Sequence, residues 1–309
     1  MLLALRRFER NDVLFGIVCV ALATLGLSLK AIFIKLVYLV DPHIDAVSML
    51  AIRFVLALPF FILCLIYFGD RTAKQTFPYI NTFQIGLLGI AGYYLSAILD
   101  FAALKHIPAG VERLILFLYP SFVVLIAHVT GRGKITRATS FALLLSYTGM
   151  VAVFAEQIPA LNSEIFLGCA MVLGAAIVFA VYTVASVSPI KRLGSVRFTV
   201  YASIAATIVT LVHAISIHGF AVFDYSIEVY ALVLPMSVFS TVLPLLFMAE
   251  GIKRIGATSA SLISMAGPVI TLGIAYFILQ ERIGILQSIG GVLIISGVYL
   301  AASRKKSPA

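Results

Sequence analysis

The sequence predicts an all-α integral membrane protein of ten transmembrane helices, arranged as two inverted five-helix repeats with both termini cytoplasmic. Three observations carry that expectation. First, 62% of the 309 residues are hydrophobic and 11% charged, with a mean hydropathy of +1.11. A soluble domain carries about 25% charged residues. Second, apolar runs of about 20 residues, long enough to cross a bilayer as helix, recur along nearly the whole chain. Third, residues 105–149 can be laid on 253–297 without a gap, at a constant offset of 148.

Taken in order, the runs lie near 12–39, 45–68, 80–104, 108–130 and 137–156, then near 164–188, 197–218, 228–251, 257–279 and 286–303. They leave no room for a soluble domain, and they divide the chain into a first repeat, 1–156, and a second, 157–309. Identical pairs within the offset include Lys105/Lys253, Pro120/Pro268, Ser140/Ser288 and Gly149/Gly297. The proline and glycine pairs carry the weight, because an apolar composition makes chance matches of aliphatic residues common. Earlier in each half, Arg53-Phe54 and Arg197-Phe198 echo one another at an offset of 144. An odd number of crossings per copy inserts the halves in opposite orientations, the arrangement by which secondary transporters alternate access to a central site.

Basic residues set the orientation, since Lys and Arg accumulate in cytoplasmic loops. With the N-terminus inside, 16 of the 22 Lys and Arg residues fall in cytoplasmic segments, among them Arg6, Arg132, Lys191 and Lys305. Only Lys105 and Arg282 fall in outer loops, where Asp41, Asp45, Glu156 and Glu228 gather. The net charge of +9 is therefore a topology signal. It does not describe a basic patch on a soluble face, so no nucleic-acid partner is expected. The membrane expected is a bacterial inner membrane. Arg6 to Arg10 followed by an apolar run imitates a cleavable secretory signal, but hydrophobicity continues past Ala23 and cleavage would break the repeat. Cys19, Cys64 and Cys169 each lie inside an apolar run without metal-ligand spacing and read as buried free thiols.

Pro120 and Pro268 fall near the middle of the fourth and ninth runs. Each removes a helical hydrogen bond and clashes with the preceding turn. Matching interruptions in corresponding helices of inverted halves point to a substrate site, where freed backbone groups face a water-filled cavity. The alternative is a bend that serves packing alone.

As a set, in order, the following residues resemble the EamA branch of the drug/metabolite transporter superfamily: Ile34-Lys35-Leu36 in the first run, Arg53-Phe54 in the second, Ala109 and Ala257 at the starts of the fourth and ninth, Pro120 and Pro268, Glu281 and Gly297. The resemblance covers essentially the full length. It implies ten helices around a central cavity and the export or exchange of small metabolites such as amino acids. The sequence departs from the family pattern at Gly133, where the acidic residue matching Glu281 is missing, and at Glu112-Arg113. Those departures bear on substrate and coupling.

Charges inside a membrane cost about 3 kcal/mol each even on a lenient insertion scale, so each needs a partner or a purpose. The first half holds Lys30, Lys35, Arg53, Asp100, Glu112 and Arg113; the second offers only Glu250. Asp100 and Arg113 flank a short turn symmetrically and are expected to pair, as a structural ion pair. Glu112 then faces Lys35 or Arg53, or takes up a proton itself during transport. Lys35 and Arg53 are candidates for the substrate carboxylate, with Arg suited to a bidentate grip; snorkelling is the competing reading for Lys35. Tyr94, Tyr119, Ser264 and Thr271 are candidates for the cavity wall. No GxGxxG, Walker A loop, HExxH or paired-carboxylate motif is present, so neither an enzyme nor a metal or other cofactor is expected. The function expected is a secondary transporter of small polar metabolites, amino acids or related compounds, with protons as a candidate coupling ion. The competing reading is a flippase or transporter of a lipid-linked or nucleotide-like metabolite. Membrane lipid and a small-molecule substrate are the expected partners, for a monomer or homodimer.

Overall fold

A computed structural model describes residues 2–69, 79–103, 106–107, 112, 115–154, 163–270, 273 and 284–303. It is all-helical within those residues. Helix α1 runs Leu2–Val40 and α2 Ala46–Phe68. Helix α3 (Tyr79–Gly89) continues through a π-helical segment, Ile90–Leu95, into α4 (Ser96–Ala103). Helices α5 (Tyr119–Val129) and α6 (Arg137–Phe154) complete the first half. In the second half, α7 (Ser163–Ala185) and the short α8 (Val187–Leu193) lead into α9 (Ser195–His218). Helix α10 (Ile227–Ser237) passes through a second π segment, Val238–Val242, into α11 (Leu243–Ser264), and α12 (Ile285–Ser303) closes the chain.

Among the described residues six stretches are long and apolar enough to cross a membrane: Asp12–Lys30, Ala46–Phe68, Thr82–Ala103, Ser163–Ala185, Ser195–Phe223 and Ile227–Ser264. Large apolar side chains such as Phe83, Phe166, Val212 and Val292 stand on the outside, as hydrocarbon solvent allows. The last stretch is two helices joined at Gly256, whose φ of 77° suits a residue without a Cβ. The sequence already divided the eighth apolar run from the ninth there.

The two halves interlock rather than sit side by side. Helix α1 packs along α11, α2 and α3 along α9, α4 and α5 along α7, and α6 along α12. In the last pair Gly149 lies against the backbone of Gly290 and Ile294, while Gly297 lies against Ala142 and Ser146. Each glycine of this offset-148 pair thus meets the helix that carries the other, and a side chain at either would collide with backbone.

Backbone interruptions recur at the same offset. Helical geometry breaks at Phe117-Leu118, just before Pro120, and at Met265-Ala266, just before Pro268. Adding 148 to the first π segment likewise lands on the second. The proline breaks were expected from the sequence and the π segments were not.

Candidate functional site

These interruptions converge on a cavity of about 180 Å³ between the two halves. Helix α1 contributes Thr24, Leu27, Ser28 and Lys30, and α2 contributes Arg53 and Phe54. The first π segment and α4 supply Gly92, Tyr93, Ser96, Ala97 and Asp100. The broken fourth run adds Leu116, Phe117 and Tyr119, and α7 adds Phe179 and Tyr182. From the second π segment and α11 come Ser240, Thr241, Leu245, Met248 and Ser264, with Gly267 beyond the second break. Six pairs in this wall are related by the offset of 148: Gly92/Ser240, Tyr93/Thr241, Ala97/Leu245, Asp100/Met248, Leu116/Ser264 and Tyr119/Gly267. The duplication read along the chain is therefore also present across the cavity.

The wall is polarised. At one end Lys30 Nζ stands 4.0 Å from Asp100 Oδ2 and 5.5 Å from the centre of the Phe101 ring. The Arg53 guanidinium lies over Phe54 and Phe101, 5.2 and 5.8 Å from their ring centres, a placement favourable for a desolvated cation. Arg53 is only 6% exposed and Asp100 5%. Elsewhere aromatic rings form a continuous wall. Tyr93 and Tyr182 bring their hydroxyls within 2.6 Å of each other, Phe179 packs against Tyr182 and Tyr119 at ring-centre distances of 5.7 and 5.3 Å, and Tyr182 stacks on Phe198. Gly92 lies directly beneath the Tyr182 ring, where a Cβ would collide.

Buried polar atoms normally find partners. Arg53 Nε, Asp100 Oδ1, Ser240 Oγ and Thr241 Oγ1 have no hydrogen-bond partner among the described residues, and all four residues line this cavity. Leaving such groups unpaired is costly, so their convergence marks a place where hydrogen-bonding capacity is held ready for something that enters.

Of the residues singled out from the sequence, Arg53, Asp100, Tyr119 and Ser264 lie in the wall. Tyr119 directs its hydroxyl toward Ser261 O at 3.5 Å, and Ser264 donates to Ala260 O. Tyr94 does not line the cavity: its hydroxyl is 3.0 Å from His213 Nδ1, and its neighbour Tyr93 takes the position expected of it. The two are adjacent on a helix and so face different directions. Glu112 is buried but outside the wall. Pro120 and Pro268 are buried beside the two breaks. The Lys35 side chain, Arg113 and Thr271 lie outside the described residues, and with Arg113 so does its expected pairing with Asp100. Lys30, which the sequence left without a place, stands 4.0 Å from Asp100. Ser240 and Thr241 were missed, although Pro244, in the middle of the eighth apolar run, was a signal that the backbone opens nearby. Among the described residues no three His, Cys, Asp or Glu side chains converge as metal ligands.

The EamA-like transporter family model matches the chain twice, over residues 14–155 and 166–303. The chain belongs to this family. As an EamA-like protein of the drug/metabolite transporter superfamily it is an integral membrane protein and, by family and by the names of its relatives, a transporter rather than an enzyme. It is 32% identical over 288 residues to the uncharacterized transporter YcbK of Bacillus subtilis, covering 89% of this chain and 88% of that one. It is 24% identical over 265 residues to an uncharacterized transporter of Archaeoglobus fulgidus, covering 85% of this chain and 90% of that one. A solved crystal structure shares the fold at a TM-score of 0.77 and 19% identity, covering 96% of this EamA-like chain and 99% of the other.

Proposed function

We propose that this chain is a secondary transporter that moves small polar metabolites, amino acids or related compounds, by alternating access, most naturally as an exporter in a bacterial inner membrane. One observation carries the reading: a cavity between the two halves whose wall includes six offset-148 pairs and residues from every matched backbone interruption. Two inverted five-helix repeats, 1–156 and 157–309, with ten crossings and cytoplasmic termini, account for that geometry. Interrupted helices at a repeat interface give a carrier its central site, and the interlocked halves give it two arrangements of the same parts. The substrate acid is held by Arg53, with Tyr119 and Ser264 in the surrounding wall and Lys35 and Thr271 as further candidates. The proton is the proposed coupling ion, with Asp100 and Glu112 as its carriers. Lipid surrounds a monomer or homodimer.

The test is counterflow in proteoliposomes loaded with a mixed pool of unlabelled amino acids and related acids, with labelled compounds offered outside in turn, with and without a pH gradient. Saturable exchange is expected. Folded protein that exchanges none of them would sink the reading and favour a lipid-linked or nucleotide-like cargo. Retention of full gradient-driven transport by both Asp100→Asn and Glu112→Gln would remove the proton from the mechanism.

A further inference from the structure

We infer that the cavity selects organic acids of net charge −1 that carry a neutral hydrogen-bond donor next to the acid, hydroxy acids in preference to amino acids. This rests on the transport reading above and narrows its substrate class.

The charges in the described wall decide it. Lys30 and Arg53 are cationic and Asp100 is anionic, so the described lining carries one excess positive charge. Asp100 already faces a cation, with Lys30 Nζ 4.0 Å from Oδ2. Arg53 makes no ion pair within 4.0 Å among the described residues: it feels the Asp100 charge only from farther off, lies over two phenylalanine rings, and its Nε is without a hydrogen-bond acceptor while only 6% of the residue is exposed. A buried guanidinium in that state is complementary to a carboxylate, which it grips through two parallel N–H bonds.

What distinguishes a hydroxy acid from an amino acid is the group beside the carboxylate. An ammonium there would bring a third positive charge to a wall that already holds Lys30 and Arg53 against a single carboxylate. A hydroxyl donates to Asp100 Oδ1, which lacks a donor, and adds no charge. Specificity of this kind is partly repulsive, because like charges in a desolvated site disfavour the wrong ligand. The Ser240 and Thr241 hydroxyls, also without partners, are available to the remaining acid oxygen, and the Tyr119, Phe179 and Tyr182 rings accommodate an apolar body.

The experiment is isothermal titration of the detergent-purified full chain with two matched sets: lactate, alanine and alaninamide, then phenyllactate, phenylalanine and phenylalaninamide. Within each set the members run from anion to zwitterion to cation on one carbon frame. The hydroxy acid of at least one set is expected to bind about tenfold or more tighter than its amino acid, with no binding of the amide. Lys30→Gln is expected to move the preference toward the zwitterion, since Asp100 then keeps only the more distant Arg53 as a cation. Arg53→Gln is expected to weaken the anion by about tenfold or more. Equal or tighter binding of the amino acids overturns the inference, as does failure of all six compounds to bind folded wild-type protein; neither result depends on a variant. Exchange of other solutes by the same preparation in proteoliposomes would then leave the transport reading standing, whereas no exchange of any solute would remove both.

Discussion

In the first copy the backbone opens at Ile90–Leu95 around a serine, and in the second it opens at Val238–Val242 around a proline. Gly92 and Ser240 occupy equivalent places, 148 residues apart. The Ser96 N–H reaches back five residues to Ala91 O, and its hydroxyl takes the Gly92 carbonyl at 2.5 Å. In the second copy the Leu243 N–H reaches back five residues to Val238 O, and the next residue, Pro244, has no N–H to offer the Ser240 carbonyl. Ser96 and Pro244 are themselves 148 apart. The two copies thus kept the location of the opening and changed the chemistry that makes it.

The strongest way to break the comparison is to fill the two equivalent positions with the same side chain. Gly92→Val drives a branched side chain into the Tyr182 ring and is expected to lose about 1–3 kcal/mol of stability by overpacking, with transport falling alongside. Ser240→Val replaces a hydroxyl that has no partner, so thermal unfolding should move little. Equal losses in the two variants would show that the segments are held by the same contacts.

Pro244→Ala restores the missing N–H. Because proline is about 3 kcal/mol worse than alanine inside a helix, the variant is expected to gain on the order of 1 kcal/mol in stability while transport slows, as the second segment relaxes toward an ordinary α-helix. Unchanged transport in a stabilised protein would mean that the π turn is incidental.

The same asymmetry appears where α2 and α9 begin. Asp45 caps α2, accepting from the amides of Val47 and Ser48 and from the Ser48 hydroxyl, with His218 Nε2 3.1 Å away. Gly194 precedes α9 with no side-chain cap. Burial pushes the Asp45 carboxyl up, but the Ser48 bonds, the Val47 amide and His218 together hold it below the usual carboxylate range. A depressed native value contributes stability above the unfolded pKa, about 3.9, and loses it as pH falls through the native value. Asp45→Ala is therefore expected to cost about 1 kcal/mol at pH 7, with the difference from wild type shrinking below about pH 4. A cost that persists in acid would indicate that packing, not the charged cap, is at stake. Ser96→Ala should cost less than the Asp45 variant, about 0.5–1 kcal/mol, because only the side-chain bond is lost and the Ser96 N–H still reaches Ala91.

Membrane-length apolar helices were legible because lipid demands long apolar runs, and the breaks at Pro120 and Pro268 because proline has one dominant effect on a helix. The π segments were not legible as a pair, since Ser96 and Pro244 share no residue type and act through different bonds. Arg53 and Asp100 could be found as costly charges in a membrane, but Lys30 could not be placed without knowing how α1 is rotated against α4. Tyr93 and Tyr94 show the same limit at finer grain. Sequence nominated Tyr94, and only the path of the backbone around Gly92 shows that Tyr93 is the ring that meets Tyr182.

Gly149 and Gly297 bring α6 and α12 together backbone to backbone, and among the described residues neither helix contributes to the cavity wall. Around the glycines the seam is filled by Met150, Tyr147, Ile294 and Val298, so it is closely packed along its length. In the proposed transport cycle such a pair would serve as the fixed part, against which the cavity-lining helices move.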